Sequence, residues 1–463
     1  MLSKNMHLHF IGICGIGMSG IAKILLRQGY KVSGCDQNLD PIRTKELKSI
    51  GCNIGKHQSN ICNDQTIDII VRSSDVPLNH AEIINAQQRN IPIKLRAEIL
   101  AEIMSCHKNS IAITGAHGKT TTSSLLSHVL FQAHYKPTII VGGHIHQLNS
   151  NAEYGDGNYL VAEADESDKS FLLLPKKFAI TTNIDREHLG VYKDLDDIKK
   201  NFITFINTIS QNGLNIICLD DPGIQTILNQ IQTPYITYGT HQQATIQITK
   251  INLKPYESTF DLFNTQSNEY LGTWTVSLAG HHNVLNATSV IALCLMLGLN
   301  KNIIQQGLVS FQGVDRRFTF KGKSKQGAFI FDDYGHHPTE IDAILKVARN
   351  ATLRKLIVAF QPQRYSRTKN LWPEFIQTLS KAPIDTLIIT DIYPANETPI
   401  ESISSQNLAE EIRKTNPTLS VIYIPFSNNG QNIIQQINAT ASTNDLILFL
   451  GAGKINKLID SLI

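Results

Sequence analysis

The sequence predicts an α/β protein of three domains, with parallel sheets at both ends and a larger mixed sheet between them. Apolar runs of strand length alternate with helix-length amphipathic segments along the chain, the pattern of βαβ units. The rhythm starts afresh three times, and after residue 240 it gives way for a while to strands that alternate at period two. At 463 residues the chain is also too long for a single core.

In the first series the strands are "HLHFIGI", "KVSGCD", "IDIIVRSS" and "IPIKL". The second runs through "SIAITG", "PTIIVGG", "YLVAEADES", "FAITTNI" and "LNIICL". The segments "ATIQITKINL", "ESTFDLF" and "YLGTWTVSL" are expected to join that second sheet as antiparallel strands, followed by a helical pair from about His282 to Val309. The third series is "GAFIFDDY", "KLIVAF", "DTLIITD", "SVIYIP" and "DLILFLGAG". Domains of residues 1–107, 108–312 and 313–463 follow, with no fixed-period repeat and no low-complexity linker.

Composition narrows the function. Hydrophobic content of 42% with 17% charged residues is ordinary for a globular protein. The formal net charge is +3, and no run of Lys or Arg is long enough to track a nucleic acid, so a small-molecule substrate is expected. The seven cysteines are odd in number, scattered and never spaced C-x-x-C. They read as reduced, mostly buried thiols of a cytoplasmic protein, with neither a disulfide framework nor a zinc site. Lys4 before "LHFIGICGIGMSGIAKILL" imitates a signal peptide, but Lys23 and four regularly spaced glycines fit a strand, a turn and a helix better. No membrane insertion is expected.

Two glycine-rich loops carry the chemistry. In the first, Gly15-x-Gly17-x-x-Gly20 follows a strand and opens a helix. Gly15 is expected to permit the tight turn, Gly17 to let backbone approach a pyrophosphate, and Gly20 to allow close helix–strand packing. Asp36 closes the next strand, where its carboxylate can accept from a ribose hydroxyl, and Ser73 and Ser74 stand near the same edge. The ligand is a nucleotide diphosphate, either a dinucleotide or a nucleotide sugar.

The second loop, "TGAHGKTTT", fails the strict G-x-x-x-x-G-K-[ST] pattern because Ile113 stands where the first glycine belongs. Its parts nevertheless suit ATP. Gly115 and Gly118 free the backbone to wrap phosphate, Lys119 supplies a point charge, and Thr120 offers a hydroxyl to Mg²⁺. Glu163, Asp165, Glu166 and Asp168 then crowd one strand end, and Asn183, Asp185 and His188 another. Carboxylates packed so closely repel one another unless a cation screens them, so they are expected to form a Mg²⁺ site. A nicotinamide oxidoreductase built on the first loop leaves this second set unexplained.

The motifs "GICGIGMSGIA", "GAHGKTT", "EADESD", "TNIDREH", "GHHNVLNA", "DRRF", "DDYGHHPTE" and "QPQRYSRT" resemble, in order and spacing, those of the Mur ligases, over essentially residues 7 to 460. That family uses a shortened G-x-x-G-K-T loop, which accounts for the missing glycine. The resemblance implies a Rossmann-like first domain for a UDP-sugar, a central P-loop ATPase domain and a Rossmann-like third domain that binds the amino acid and closes over the site. It implies ATP and Mg²⁺ as cofactors, carboxylate activation as an acyl phosphate, and a monomer or weak homodimer. Within the family, the motifs sit nearest the branch that adds L-alanine to UDP-N-acetylmuramate; a sister branch attaches a whole peptide to the same sugar.

Carried over residue by residue, the resemblance assigns catalysis to Lys119, Glu163 and His188, and metal to Thr120, Glu163 and His188. The ATP site takes Gly115, Ala116, His117, Gly118, Lys119, Thr120, Thr121, Asn283, Asn286, Arg316, Arg317 and Asp333. Tyr334, His336, Arg364 and Arg367 are assigned to the amino acid, for whose carboxylate a guanidinium fork is suited. Two positions depart from the family pattern, Ala116 where Thr is usual and Gln363 where His is commoner.

Overall fold

The structure is a computed structural model that describes residues 3–148 and 150–463. Its strands form three sheets of five, ten and six strands. The first is wholly parallel, in the spatial order Asn53–Lys56, Lys31–Asp36, His7–Ile11, Ile69–Arg72, Ile93–Leu95. Starting in the middle and winding outward both ways leaves a crevice beyond the carboxyl ends of the strands, where the first glycine loop lies.

In the ten-stranded sheet Asn109–Thr114, Tyr159–Glu163, Phe178–Thr181 and Leu214–Cys218 run parallel near the centre. Ile246–Leu253, Ser258–Asn264 and Glu269–Val276 extend it as an antiparallel meander, as their period-two alternation requires. The helices His281–Met296 and Lys301–Ser310 pack behind it. In the third sheet five strands are parallel, with Thr319–Lys323 antiparallel at the edge. Central strands such as Leu356–Phe360 and Leu446–Leu450 are buried along their whole length, because helices cover both faces.

Four strands lie outside the apolar runs of the sequence: Asn53–Lys56, Ser150–Glu153, Tyr235–Gly239 and Thr319–Lys323. "NIGK" and "SNAE" have no periodic apolar signal; pairing with a neighbour makes them strands.

The first two sheets share one continuous buried cluster. The helix Ile16–Arg27 joins them, packing on the strands Thr138–Ile145 and Ser150–Glu153 of the second sheet. Gly20 allows close helix–strand packing as its motif suggests, here against strands of the second sheet. A Cβ on it would lie 3.1 Å from Asn151 Nδ2 and 3.6 Å from Ile140 Cγ2, so the missing side chain brings the helix onto the neighbouring sheet. The core of the third domain lies in two clusters on the two faces of its own sheet, one of which takes in Ala279 of the central domain.

A buried lysine seals the first junction. Lys23, only 8% exposed, donates from Nζ to Glu46 at 2.6 Å, Asn151 Oδ1 at 3.0 Å and Ser150 at 3.2 Å. Asn151 Nδ2 in turn donates to the carbonyl of Ile16 at 2.7 Å. Lys23→Met keeps the apolar stem but strands these acceptors, so it should lower stability by about 1–3 kcal/mol. A fall in the urea midpoint at unchanged slope checks this, and an unaltered midpoint would show the contacts to be dispensable.

Candidate functional site

The first glycine loop puts Gly12 in the left-handed region at φ 78°, and the amide of Gly15, itself extended at φ −60°, closes the turn on the Gly12 carbonyl at 3.0 Å. The amides of Gly12 and Ile13 donate to the carbonyl of Cys35 at 2.8 and 3.1 Å, and the amide of Cys14 to Asp36 at 2.9 Å. Asp36 therefore holds the loop in shape, with its other oxygen on the Asn38 amide. Ser73 closes a turn by accepting from the amide of Asp75, and Ser74 is exposed.

A Cβ on Gly17 would be 2.9 Å from Nη1 of Arg96, a residue outside the glycine motif. Arg96 opens a helix directly after the strand Ile93–Leu95, so its position at the carboxyl edge of the sheet was the available signal. Its guanidinium spans the gap to the second domain, 3.9 Å from Asp165.

The second loop leads from the strand Asn109–Thr114 into the helix Lys119–Gln132. Gly115 (φ 137°) and Gly118 (φ 84°) adopt backbone closed to other residues, and a Cβ on Gly115 would fall 2.0 Å from Thr182 Oγ1. The helix start presents its first amides without intrahelical acceptors. Lys119 Nζ donates to the carbonyls of Gly115 at 2.6 Å and Ala116 at 3.2 Å, and pairs with Glu166 at 2.9 Å. Burial opposes its charge, but the carboxylates of Glu166 and Asp165 outweigh that and raise its pKa.

The crowded acidic residues face different partners. Glu163 accepts from the Gly142 amide at 2.8 Å and Ser123 Oγ at 3.1 Å, and burial holds its pKa above the usual carboxylate value. Asp165 faces Arg96, and Asp168 ties its own turn through the amide of Ser170. Glu166 takes Lys119 on one side and, 3.3 Å away, His188 Nε2 on the other. Of the three expected metal ligands, Thr120 and Glu163 share the loop's mouth beside Gly142 and Gly143, while His188 joins Glu166. Each carboxylate has a positive or donor partner within reach.

A cavity of about 590 Å³ opens beside the loop, between the central and third sheets. Gly118, Thr121, Asn283, Asn286, Arg317 and Asp333 are among its lining residues. Asn286 Oδ1 sits 2.7 Å from where a Gly118 Cβ would be, and Asn283 donates to the carbonyl of Ala279. Asp333 accepts from the amides of Phe318 and Gly335 at 2.8 and 2.7 Å; burial pushes its carboxyl up to about 6. Arg317 and Arg316 divide. Arg317 faces the cavity, whereas Arg316 donates to the carbonyl of Gly451, lies 3.4 Å from Asp332 and is not among the cavity's lining residues. Tyr334 stacks beneath both guanidinium groups, 4.8 and 5.6 Å from its ring centre, and meets His336 edge-on. Oxygen donors at the loop's mouth, bare backbone and a helix start with its lysine all fit a nucleoside triphosphate with Mg²⁺.

The second and third domains meet through charges. His117 Nε2 is 2.9 Å from Asp185 and its Nδ1 3.4 Å from Glu340, while Thr339 donates to Asp185 at 2.7 Å. Arg367 donates to both oxygens of Glu187, at 3.1 and 3.2 Å, and is braced by Gln363 Oε1 at 3.0 Å. Arg364 is exposed with a left-handed φ of 67°, whereas Arg367 is paired with Glu187. His336, hydrogen-bonded to its own loop at the Tyr334 carbonyl, is lowered to about 4 by burial. Glu187 and Glu340 were missed in the sequence because their role lies in a pairing between domains.

These features define a three-domain α/β enzyme with a phosphate loop at the meeting point of its domains. The chain belongs to the Mur ligase family. Family models described as "Mur ligase family, catalytic domain", "Mur ligase middle domain" and "Mur ligase, glutamate ligase domain" match residues 7–108, 113–294 and 316–453. The UDP-N-acetylmuramate–L-alanine ligase of Geotalea uraniireducens is 42% identical, covering 100% of this chain and 98% of its own. That of Trichlorobacter lovleyi is 43% identical, covering 98% of both. Among solved structures, the UDP-N-acetylmuramate–alanine ligase of Thermotoga maritima superposes with a TM-score of 0.80 at 25% identity, over 99% of this chain and 98% of the other. A murein peptide ligase from Psychrobacter arcticus shares the fold, with a TM-score of 0.70 at 22% identity over 99% and 98% of the two chains.

Burial opposes charge on His117, but Asp185 and Glu340 together outweigh it and raise its pKa from 6.5 to about 10. A raised pKa contributes stability that is complete below 6.5 and lost as pH climbs through about 10. The melting-temperature gap between the wild-type chain and His117→Gln should therefore shrink steadily from pH 6.5 to 10. A gap independent of pH would mean that His117 is neutral in the folded protein.

Proposed function

We propose that the enzyme joins L-alanine to the lactyl carboxylate of UDP-N-acetylmuramate through an acyl phosphate, releasing ADP and phosphate, in peptidoglycan synthesis. The observation that carries this reading is the convergence of the two glycine loops. Arg96 lies over Gly17 in the first and reaches Asp165, which with Glu166 balances Lys119 in the second. A sugar nucleotide held by the first loop thus presents its far end to the phosphates held by the second. The full-length identity to ligases named for UDP-N-acetylmuramate and L-alanine supports the choice of substrates.

In this reading residues 1–107 hold the UDP-sugar, 108–312 the ATP, and 313–463 the amino acid. Bound ATP supplies the phosphoryl group, and Mg²⁺ neutralises its developing charge. Lys119 holds phosphate oxygens, Thr120 and Glu163 serve the metal, and His188 orients Glu166 beside Lys119. Arg317 and Asp333 close the nucleotide site from the third domain. Tyr334, His336 and Arg367 face the amino acid, with Gln363 positioning Arg367. For the alanine carboxylate to be gripped, Arg367 exchanges Glu187 for it, one carboxylate for another. The chemistry needs positioning and charge neutralisation and no covalent help from the protein. The chain works in the cytoplasm as a monomer or weak homodimer; no helix among the described residues is long and apolar enough to cross a membrane.

An oxygen label in the lactyl carboxylate should appear in the released phosphate, and Glu163→Ala should slow turnover on the order of 10²-fold. Label in AMP with release of pyrophosphate would overturn the acyl phosphate route. Gly17→Val, whose side chain meets the Arg96 guanidinium, should weaken binding of the sugar nucleotide and leave ATP affinity nearly unchanged in a titration of each ligand. Loss of ATP binding in the folded variant would reverse the two loops' roles.

A further inference from the structure

The first domain contains a cluster that the ligase reaction does not use. His9 comes from the strand His7–Ile11, Cys35 from Lys31–Asp36, Cys62 from the short 3-10 helix Asn60–Asn63, and Glu82 from the helix Ala81–Gln88. All four are buried, at 0%, 0%, 7% and 6% exposure, and one ligand atom from each lies within 4.8 Å of the others. Cys35 Sγ is 2.8 Å from one oxygen of Glu82, and Cys62 Sγ 2.9 Å from the other. His9 Nδ1 is fixed by Ser33 Oγ at 2.8 Å, which leaves Nε2, fully buried and without a hydrogen bond, as the ring's remaining donor atom.

We propose that His9, Cys35, Cys62 and Glu82 form a structural zinc site that braces the first glycine loop. Two sulfurs, one imidazole nitrogen and one carboxylate oxygen form the donor set of a closed tetrahedral zinc centre, and a hard cation such as Mg²⁺ would take oxygen ligands instead. With Zn–S near 2.3 Å and Zn–N or Zn–O near 2.0–2.2 Å, tetrahedral donors stand roughly 3.3–3.8 Å apart, so a sub-ångström opening of the thiol–carboxylate contacts admits the ion. Zinc takes the place of the two thiol protons, which leave to solvent; the carboxylate is already ionised and no electron moves.

The outer contacts match. Ser33 locks the His9 ring from behind, the arrangement that fixes a metal-binding imidazole. His57, half-buried at the edge of the cluster, places Nδ1 3.2 Å from Cys35 Sγ and 3.6 Å from Glu82, where it can donate to a thiolate and offset the excess negative charge. The Gln58 amide donates to Glu82 at 2.9 Å. Through Cys35 the site reaches the nucleotide loop, since the Cys35 carbonyl accepts from the amides of Gly12 and Ile13 and the next residue, Asp36, from that of Cys14.

Metal analysis of the purified full-length chain should find one zinc per chain after dialysis against EDTA. Cobalt substitution should give a thiolate-to-cobalt charge-transfer band. Cys35→Ser and Cys62→Ser should lose both signals, and Cys294→Ser, buried in the central domain, should keep them. Should the first two variants fail to fold, the wild-type protein answers alone: stripping zinc with a stronger chelator should lower its melting temperature, and zinc but not Mg²⁺ should restore it. A metal-free chain that gives no cobalt band and whose melting ignores zinc overturns the proposal. So does a mass lower by two hydrogens from a Cys35–Cys62 disulfide.

Discussion

Lys119 is a cation that the fold has largely taken out of water, its side chain 16% exposed, and the arrangement around it follows from keeping it charged. A buried ammonium persists only beside carboxylates, and Glu166 and Asp165 supply them. Those carboxylates would repel each other without further partners. Asp165 finds Arg96, which belongs to the first domain, and Glu166 finds His188. His188 lies 3.7 Å from Glu187, which is held by Arg367 of the third domain. Neutralising one buried charge therefore links all three domains.

The two junctions are built differently. Between the first and second domains a continuous apolar cluster, with Lys23 at its edge, makes separation costly in exposed surface. Between the second and third, the contacts include His117 with Glu340, Thr339 with Asp185, and Arg367 with Glu187. Such pairs can be exchanged for ligand groups of like charge without uncovering a core. A substrate-sized cavity at this second junction is therefore physically reasonable, because exchangeable charged pairs share the walls with only local apolar contacts, such as Tyr256 against Phe331.

The three-series architecture, the mixed central sheet and both glycine loops were legible in the sequence, because apolar periodicity and a glycine's tolerance of close backbone are local properties. Short strands such as Ser150–Glu153 were not, since partners outside their own stretch of chain make them strands. The motif named only one end of the turn: Gly15 closes it, but the left-handed residue is Gly12, whose amide and that of Ile13 reach back to Cys35.

The sequence by itself determined which residue types line the site: a lysine at a helix start, carboxylates at strand ends, and arginines after the linker into the third domain. Only the tertiary structure decided what each one faces. It divided Arg316 from Arg317, gave every member of the acidic run a separate partner, and set Arg367 against Glu187. It also gathered His9, Cys35, Cys62 and Glu82 from four separate elements. Spacing along a chain predicts neighbours only within one helix or strand. Where elements cross, the direction of a side chain is set by packing and by the charge it must meet there, and neither is written in any one segment.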